Sequence, residues 1–487
     1  MLKKYKPKNY KKQLQEQNQS MEKLRKIIRN FSAEQWLHLI RTIDMKNLAS
    51  MENYQYKGEF LVLVADTALR LSKPDLQASY PAPNSNDLKA IISLYFSYDQ
   101  SPRKLIKTLG VAALPLIAAW QNRFHYPSKN VLGRIELLYS DYAEEIQDMI
   151  GVTTLDIQVI VLAIHTVYID KEFIDFEAES LYSSEVGSLN KEKVDNFLDF
   201  FAIGINDYHA VAKSQKVYDN QIGTFNLMNR YPIIKIDESR YIIPSRQQLL
   251  ESVAANLYFH ILAHKQTFGR KASRKYLDEF GITLENYVVD LAKYVFKEKN
   301  VIAADDIVTN PGEDRCEVVC LHEGKNLAIE VKKLYFQRDA VSSADTEHIQ
   351  ESFDRHLAKG YNQVATTLKY TEGSKYGIIV IPDIMLSPSA ILDYIKKDNY
   401  GSKTGLENRI LVCTLSEYEQ LMANDSESVF AALDIALKRT LGEGNSVSLI
   451  LEDMKNSGHP IELANPYLDQ IFSKKFKEQE KSLLNLK

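Results

Sequence analysis

The sequence predicts a mixed α/β domain lying C-terminal to a large all-α region. Three observations lead there. Apolar residues recur at spacings of three and four from about residue 14 to residue 230. Short β-branched runs then appear, first in Tyr231–Pro244 around the turn residues Asp237, Glu238 and Ser239. Beyond Thr283, a helix leads into strands that form hairpins and then into strand–helix alternation, the order of a mixed sheet.

The helical region opens behind a basic arm. Residues 1–30 carry ten Lys/Arg (Lys3, Lys4, Lys6, Lys8, Lys11, Lys12, Lys23, Arg25, Lys26, Arg29) against Glu16 and Glu22, a net charge of +8. Such an arm can touch phosphates or can simply be a solvated terminus. Leu24, Ile27, Ile28 and Phe31, then Trp36, Leu37, Leu39 and Ile40, mark the first apolar stripes. Further helices are expected near 57–72, 87–97, 101–124, 130–147, 153–169 and 190–213, with a linker or long loop at Lys73–Asp87 containing Pro74, Pro81 and Pro83. A hairpin and an apolar helix around Gln247–His264 follow. Strands are expected at 301–308, 317–321, 327–334, 376–381 and 409–413, with helices near 345–370 and 387–397 between the later ones. The predicted organisation is therefore a basic arm (1–30), an all-helical recognition or regulatory region (31–230), a hairpin with linking helix (231–269), an α/β domain (270–425) and a C-terminal helical extension (426–487).

Composition narrows the classes. With 487 residues, 45% hydrophobic and 25% charged, the chain has the balance of an ordinary soluble globular protein. Gly 19 and Pro 14 are too few for a fibrous or largely disordered chain. Three cysteines, Cys316, Cys320 and Cys413, exclude a disulfide scaffold and fit a cytoplasmic location. Cys316 and Cys320 have no second pair, which argues against structural zinc. The longest apolar run, Leu109–Trp120, is shorter than the ~20 residues of a membrane span, and the N-terminus lacks the apolar core of a secretory signal. His260 and His264 stand at i, i+4 without a third ligand, and His165 lies in an apolar helix; all three read as helical-core residues. No phosphate loop ending in Gly-Lys-Ser/Thr and no nucleophile elbow occurs.

The chemically informative stretch is 305–334, DDIVTNPGEDRCEVVCLHEGKNLAIEVKKL. Glu317–Leu321 and Leu327–Lys332 read as two strands joined at Gly324. Alternation along the second strand puts Glu330 and Lys332 on one face, and the hairpin brings Glu317 back opposite them. Two nearby carboxylates repel unless a cation sits between them, and hard oxygens in this arrangement suit Mg²⁺ or Mn²⁺. Lys332 would orient a water or stabilise the transition state. In Gly281–Phe296 a helix is expected to start at Thr283 as N-cap. Glu285 then lies on the apolar stripe with Val288, Val289 and Ala292. A ligand or metal contact accounts for it there; a first-turn carboxylate favoured by the helix dipole does so equally.

A helix Glu, then an acid, then Glu-x-Lys on an apolar hairpin resembles the PD-(D/E)xK, or restriction-endonuclease-like, nuclease superfamily, over roughly residues 270–425. The resemblance implies an α/β nuclease core, a mixed sheet flanked by helices. It also implies a metal-dependent endonuclease in which Glu285, Glu317, Glu330 and Lys332 are catalytic, with Glu317 and Glu330 as metal ligands. Glu317 replaces the usual Asp of the middle acid, and Asp314 competes for that role. Gln363 on the next helix is the candidate for a polar residue near the substrate phosphate, and Lys359, Arg355 and His348 are candidate nucleic-acid contacts; a solvent-facing helix residue is the alternative reading of each. Pro382-Asp383 follows a later strand and is read as coincidental. Since residues 270–400 hold 18 Lys/Arg and 21 Asp/Glu, binding would depend on a local patch, the basic arm or an oligomer.

The function expected is hydrolysis of phosphodiester bonds in nucleic acid, DNA favoured over RNA, in a setting analogous to bacterial restriction or antiviral (anti-phage) defence. A homodimer or larger assembly is expected, since a duplex cut needs two sites. An activating protein partner would bind the N-terminal helical region. The alternative is a catalytically inactive nuclease-like module in a protein- or nucleic-acid-binding scaffold.

Overall fold

The computed structural model describes residues 19–20, 22–49, 58–72, 82–98, 128–165, 175–182, 189–214, 227–254, 256–307, 310, 312–333, 351, 354–383, 406, 408–439 and 446–484. The helices expected at 101–124 and 387–397, most of the linker at 73–87, the run Leu109–Trp120, most of the basic arm and His348 lie outside them. The chain divides into two compact units. One comprises Met1–Arg123, Ile150–Val152 and Asp156–Asn256, and the other Phe124–Met149, Thr153–Leu155 and Leu257–Lys487.

In the first unit, the apolar stripes read from the sequence become helices Ala33–Ala49, Gly58–Leu71 and Ser85–Tyr98. Ser32 and Gln35 close a capping box ahead of the first of these: Gln35 N–H donates to Ser32 Oγ (3.2 Å) and Ser32 N–H to Gln35 Oε1 (3.0 Å). The expectation of an all-helical region is corrected here. Strands β1 (Phe176–Glu177) and β2 (Ala202–Gly204) interrupt it. They join the expected hairpin, β3 (Ile233–Lys235) and β4 (Arg240–Ile242), in a four-stranded sheet of order β1-β4-β3-β2. The single helix expected over 190–213 is split by β2 into Lys191–Phe201 and Ile205–Ser214. The physical reason is pairing: β2 lies parallel to β3 from Ala202↔Ile233 to Gly204↔Lys235, and that ladder overrides helix periodicity over three residues. Ile203, Ile234 and Ile242 share one core with Trp36, Leu61 and Leu88. Inside it Asp66 accepts from Tyr208 Oη (2.5 Å) and pairs with Arg70 (2.5 Å), so the buried charge is compensated.

The second unit is built on a five-stranded mixed sheet: β5 (Val301–Ala303), β6 (Val318–His322), β7 (Lys325–Val331), β8 (Ser374–Ile381) and β9 (Ile410–Thr414), in spatial order β5-β6-β7-β8-β9. The first three strands run antiparallel, and β7, β8 and β9 run parallel. Parallel pairing needs a crossover, supplied between β7 and β8 by the helix Lys359–Lys369. Its Tyr361, Val364, Ala365 and Leu368 are buried, the 3–4 spacing of an amphipathic helix. Asn326–Val331 of β7 are all buried, so both faces of the central strand are covered.

A long helix, Arg270–Phe296, precedes the sheet and packs on β5, β6 and β7. Its buried stripe includes Tyr276, Phe280, Leu284, Tyr287, Val288, Leu291 and Phe296. The expected start at Thr283 is corrected: the helix passes through Gly281, and Thr283 is an interior residue whose hydroxyl donates to Glu279 O (3.3 Å). Packing of the stripe overrides both the local cap signal and the cost of an interior glycine, about 1 kcal/mol relative to Ala. The strand expected at 301–308 is also shorter, since a 3₁₀ turn at Ala304–Asp306 ends it. The β6–β7 turn contains two residues with positive φ, Glu323 (45°) and Gly324 (75°), which suits the right-handed twist of the hairpin. Helices 426–438, 447–456 and 466–484 complete the unit.

Candidate functional site

The β6–β7 register fixes the first pair. Val318 faces Ile329, and Glu317 N–H donates to Ile329 O (3.0 Å). Glu317 therefore stands just before β6, bonded to the residue that precedes Glu330, at the end of the strand pair. Lys332 follows β7 and donates its backbone N–H to Val380 O (2.9 Å), which prolongs the parallel ladder with β8.

Glu330 is fully buried. Its Oε1 accepts from Lys332 Nζ, whose side chain is only 14% exposed. Its Oε2 is buried with no hydrogen-bond partner among the described residues. Leaving such an oxygen bare costs on the order of 1–3 kcal/mol or more. Burial, with the neighbouring charges of Glu317 and Glu285, pushes the Glu330 carboxyl up to about 8, against the lowering effect of Lys332. Glu317 is pushed up to about 7, by burial foremost and then by Glu285, again with Lys332 opposing. Glu285, on the long helix, therefore acts electrostatically on both hairpin acids. The helix-dipole account of Glu285 does not hold, because the residue sits mid-helix and not in a first turn.

Two glycines give the cluster room. A Cβ on Gly360 of the crossover helix would lie 3.0 Å from Lys332 Cε, 3.1 Å from Lys332 Cγ and 3.4 Å from Glu330 Cγ. A Cβ on Gly281 would collide with the side chain of Lys333.

The other expected residues are placed differently. Asp314 is exposed and pairs with Lys359 (3.2 Å), so the two engage each other at the surface. Arg355 pairs with Glu351 (2.5 Å) one turn away. Gln363 is half-buried; its Nε2 donates to Arg315 O (2.7 Å), and its Oε1 is buried without a hydrogen-bond partner among the described residues. Asp383 belongs to a buried network. It accepts from Arg134 Nη1 (2.5 Å), Ser416 N–H (2.8 Å) and Ser416 Oγ (2.7 Å), while Arg134 also holds Glu419 (2.6 Å) and Tyr287 Oη donates to Glu419 (2.5 Å). His165 is buried, its Nε2 without a hydrogen-bond partner among the described residues, and burial foremost lowers its pKa to about 3.

Two residues near the cluster were not singled out in the sequence. His356 sits half-buried on a one-turn π-helix, Asp354–Ala358, and its pKa is held below the usual range by burial and by Lys332, Arg355 and Lys333. Lys333 is half-buried, and its Nζ donates to Leu277 O (2.6 Å) on the long helix. A π-turn leaves no strong sequence signal, and Lys333 stands directly after the more conspicuous Glu-x-Lys triplet.

Among the described residues, no group of three or more His, Cys, Asp or Glu side chains is arranged to hold a metal ion. Two neighbouring carboxylates, one with a bare buried oxygen, are the donor type a Mg²⁺-sized cation takes from protein, with water and substrate oxygens completing its shell. No protein-family model, curated protein or solved structure matches the chain. Among the described residues no single helix is long and apolar enough to cross a membrane.

Proposed function

We propose that the chain is a divalent-metal-dependent nuclease of the restriction-endonuclease-like kind, hydrolysing phosphodiester bonds, with DNA favoured over RNA. One observation carries the reading: a fully buried glutamate, held by a lysine on one oxygen and bare on the other, within electrostatic reach of a second acid. A stretch spent only on folding gains nothing from burying Glu330 this way, since an apolar residue would avoid the desolvation penalty. The mixed sheet covered by helices supports the reading.

Glu317 and Glu330 would hold the ion, Mg²⁺ or Mn²⁺, and Glu285 would add negative charge behind them. When bound, the ion supplies charge neutralisation at the scissile phosphate and a more acidic water. Lys332, released from Glu330, hydrogen-bonds the attacking water or the phosphoryl oxygen and so stabilises the charge that grows in the transition state. Gly360 keeps Lys332 and Glu330 free of steric pressure from the crossover helix. Gln363 would present its free carbonyl oxygen toward the water or substrate. One site cuts one strand, so a duplex break calls for two copies; residues 31–230 would couple the site to a partner or trigger, as in defence nucleases of the cytoplasm.

A second reading, a non-catalytic nuclease-like module, is favoured by the raised Glu317 and Glu330 carboxyls, since the fraction that stays protonated needs no cation. Incubating purified protein with plasmid and with single-stranded RNA, in Mg²⁺, Mn²⁺ or chelator, separates the two. Cleavage that needs the metal and disappears in E330A and K332A is the expected result. Cleavage indifferent to chelator or to both substitutions would refute the nuclease reading, and silence under every condition leaves the non-catalytic module or a requirement for the activating partner.

A further inference from the structure

Lys333 leaves the end of β7 toward the long helix. Its ammonium donates to the carbonyl of Leu277 (2.6 Å), an oxygen inside the helix rather than at its end. The side chain reaches that carbonyl by crossing the helix at Gly281: an ideal Cβ there would lie 3.0 Å from Lys333 Cδ and closer still to Cε and Nζ. Any residue but glycine would block the path. Gly281 is buried and helical, a position where alanine would ordinarily be preferred, so the notch has a use that offsets its propensity cost.

We propose that Lys333 is a positioning residue: through the Gly281 notch it pins the long helix to the end of β7, and thereby sets Glu285 against Glu317 and Glu330. Glu285 lies four residues beyond Gly281, one turn along the same helix, so a shift of that turn moves its carboxylate directly. Glu285 and Asp278 act favourably on the Lys333 ammonium, which offsets part of the cost of its burial. The proposal rests on the nuclease reading for its functional consequence but not for its structural one.

The test has two arms. In the first, amide hydrogen exchange is followed over residues 277–285 in wild type, K333M and G281A, with thermal melts as a control. Exchange there should speed up at least tenfold in both variants while the melting temperature of K333M stays within a few degrees. Unchanged exchange in both would overturn the proposal. In the second, Mn²⁺ binding is measured by electron paramagnetic resonance of the free ion in wild type, K333M, E285Q and the double variant. K333M should weaken binding about fivefold or more, and the double variant should bind no more weakly than E285Q alone, because Lys333 acts through Glu285. Equal losses in both backgrounds would overturn it. Wild type that binds no Mn²⁺ while the exchange result holds would sink the metal reading and leave the pin in place.

Discussion

Glu330 combines three properties at one residue: full burial, an ammonium on one oxygen and no partner among the described residues on the other. Its carboxyl titrates near 8 and that of Glu317 near 7, both raised above the usual carboxylate range by burial first. The sign of the linkage follows. A carboxyl whose folded pKa exceeds its unfolded value binds protons more tightly when folded, so the metal-free protein loses stability as pH rises from about 4.5 to about 8. We expect the melting temperature in chelator to fall across that window and the fall to be visibly shallower in E330Q. An unchanged slope in E330Q would show that Glu330 does not titrate there. Cation binding needs both acids ionised, so Mn²⁺ affinity should rise from pH 6 and level off above about 8; a flat profile would place the ligands elsewhere.

At the scale of elements, the crossover helix and β7 meet where Gly360 faces Lys332 and Glu330. In an unconstrained helix Gly→Ala stabilises by up to about 1 kcal/mol. In G360A the methyl group would press on Lys332 at 3.0 Å, so we expect the melt to shift downward by a few degrees and nuclease activity to drop at least tenfold. A G360A variant that is more stable and fully active would mean that the contact does not matter. The long helix illustrates what local signals miss. Thr283 reads as a cap, yet seven large apolar or aromatic residues along Tyr276–Phe296 hold one continuous helix, because each buried side chain outweighs a propensity deficit of about 1 kcal/mol. Conversely, β6, β8 and β9 were readable within a residue or two and β7 within three, since buried β-branched runs bounded by turns carry their own period.

Over the C-terminal unit as a whole, Arg134 joins a helix at residues 128–139 to Asp383 after β8 and to Glu419, with Tyr287 closing on Glu419. Three of these charged groups are almost wholly buried. R134L would strand two carboxylates, and we expect about 3–5 kcal/mol of lost stability, read from urea midpoints; a loss under 1 kcal/mol would show that the network relaxes freely. The molecule's net charge of −4 gives no general attraction to nucleic acid, and its excess of cations sits in residues 1–30. Replacing Lys3, Lys4, Lys6, Lys8, Lys11 and Lys12 by Gln should therefore reduce the slope of log affinity against log salt by up to about 5 for a duplex probe. An unaltered slope would place phosphate binding elsewhere.

The sequence by itself determined the hairpin of Glu317 to Lys332 and the shared face of Glu330 and Lys332, because side-chain alternation along a strand is a local property. It left open whether Asp314 or Glu317 faces that pair, and whether Glu285 bears on it. Only the tertiary structure bears on those points: Glu317 bonds Ile329 O and acts electrostatically on Glu330, Asp314 pairs with Lys359, and the packed helix brings Glu285 within electrostatic reach. The reach of Lys333 to Leu277 was also invisible in the chain, since it joins residues 56 apart. Contacts at such separations arise from how buried surfaces fit together, and a one-dimensional pattern does not encode that fit.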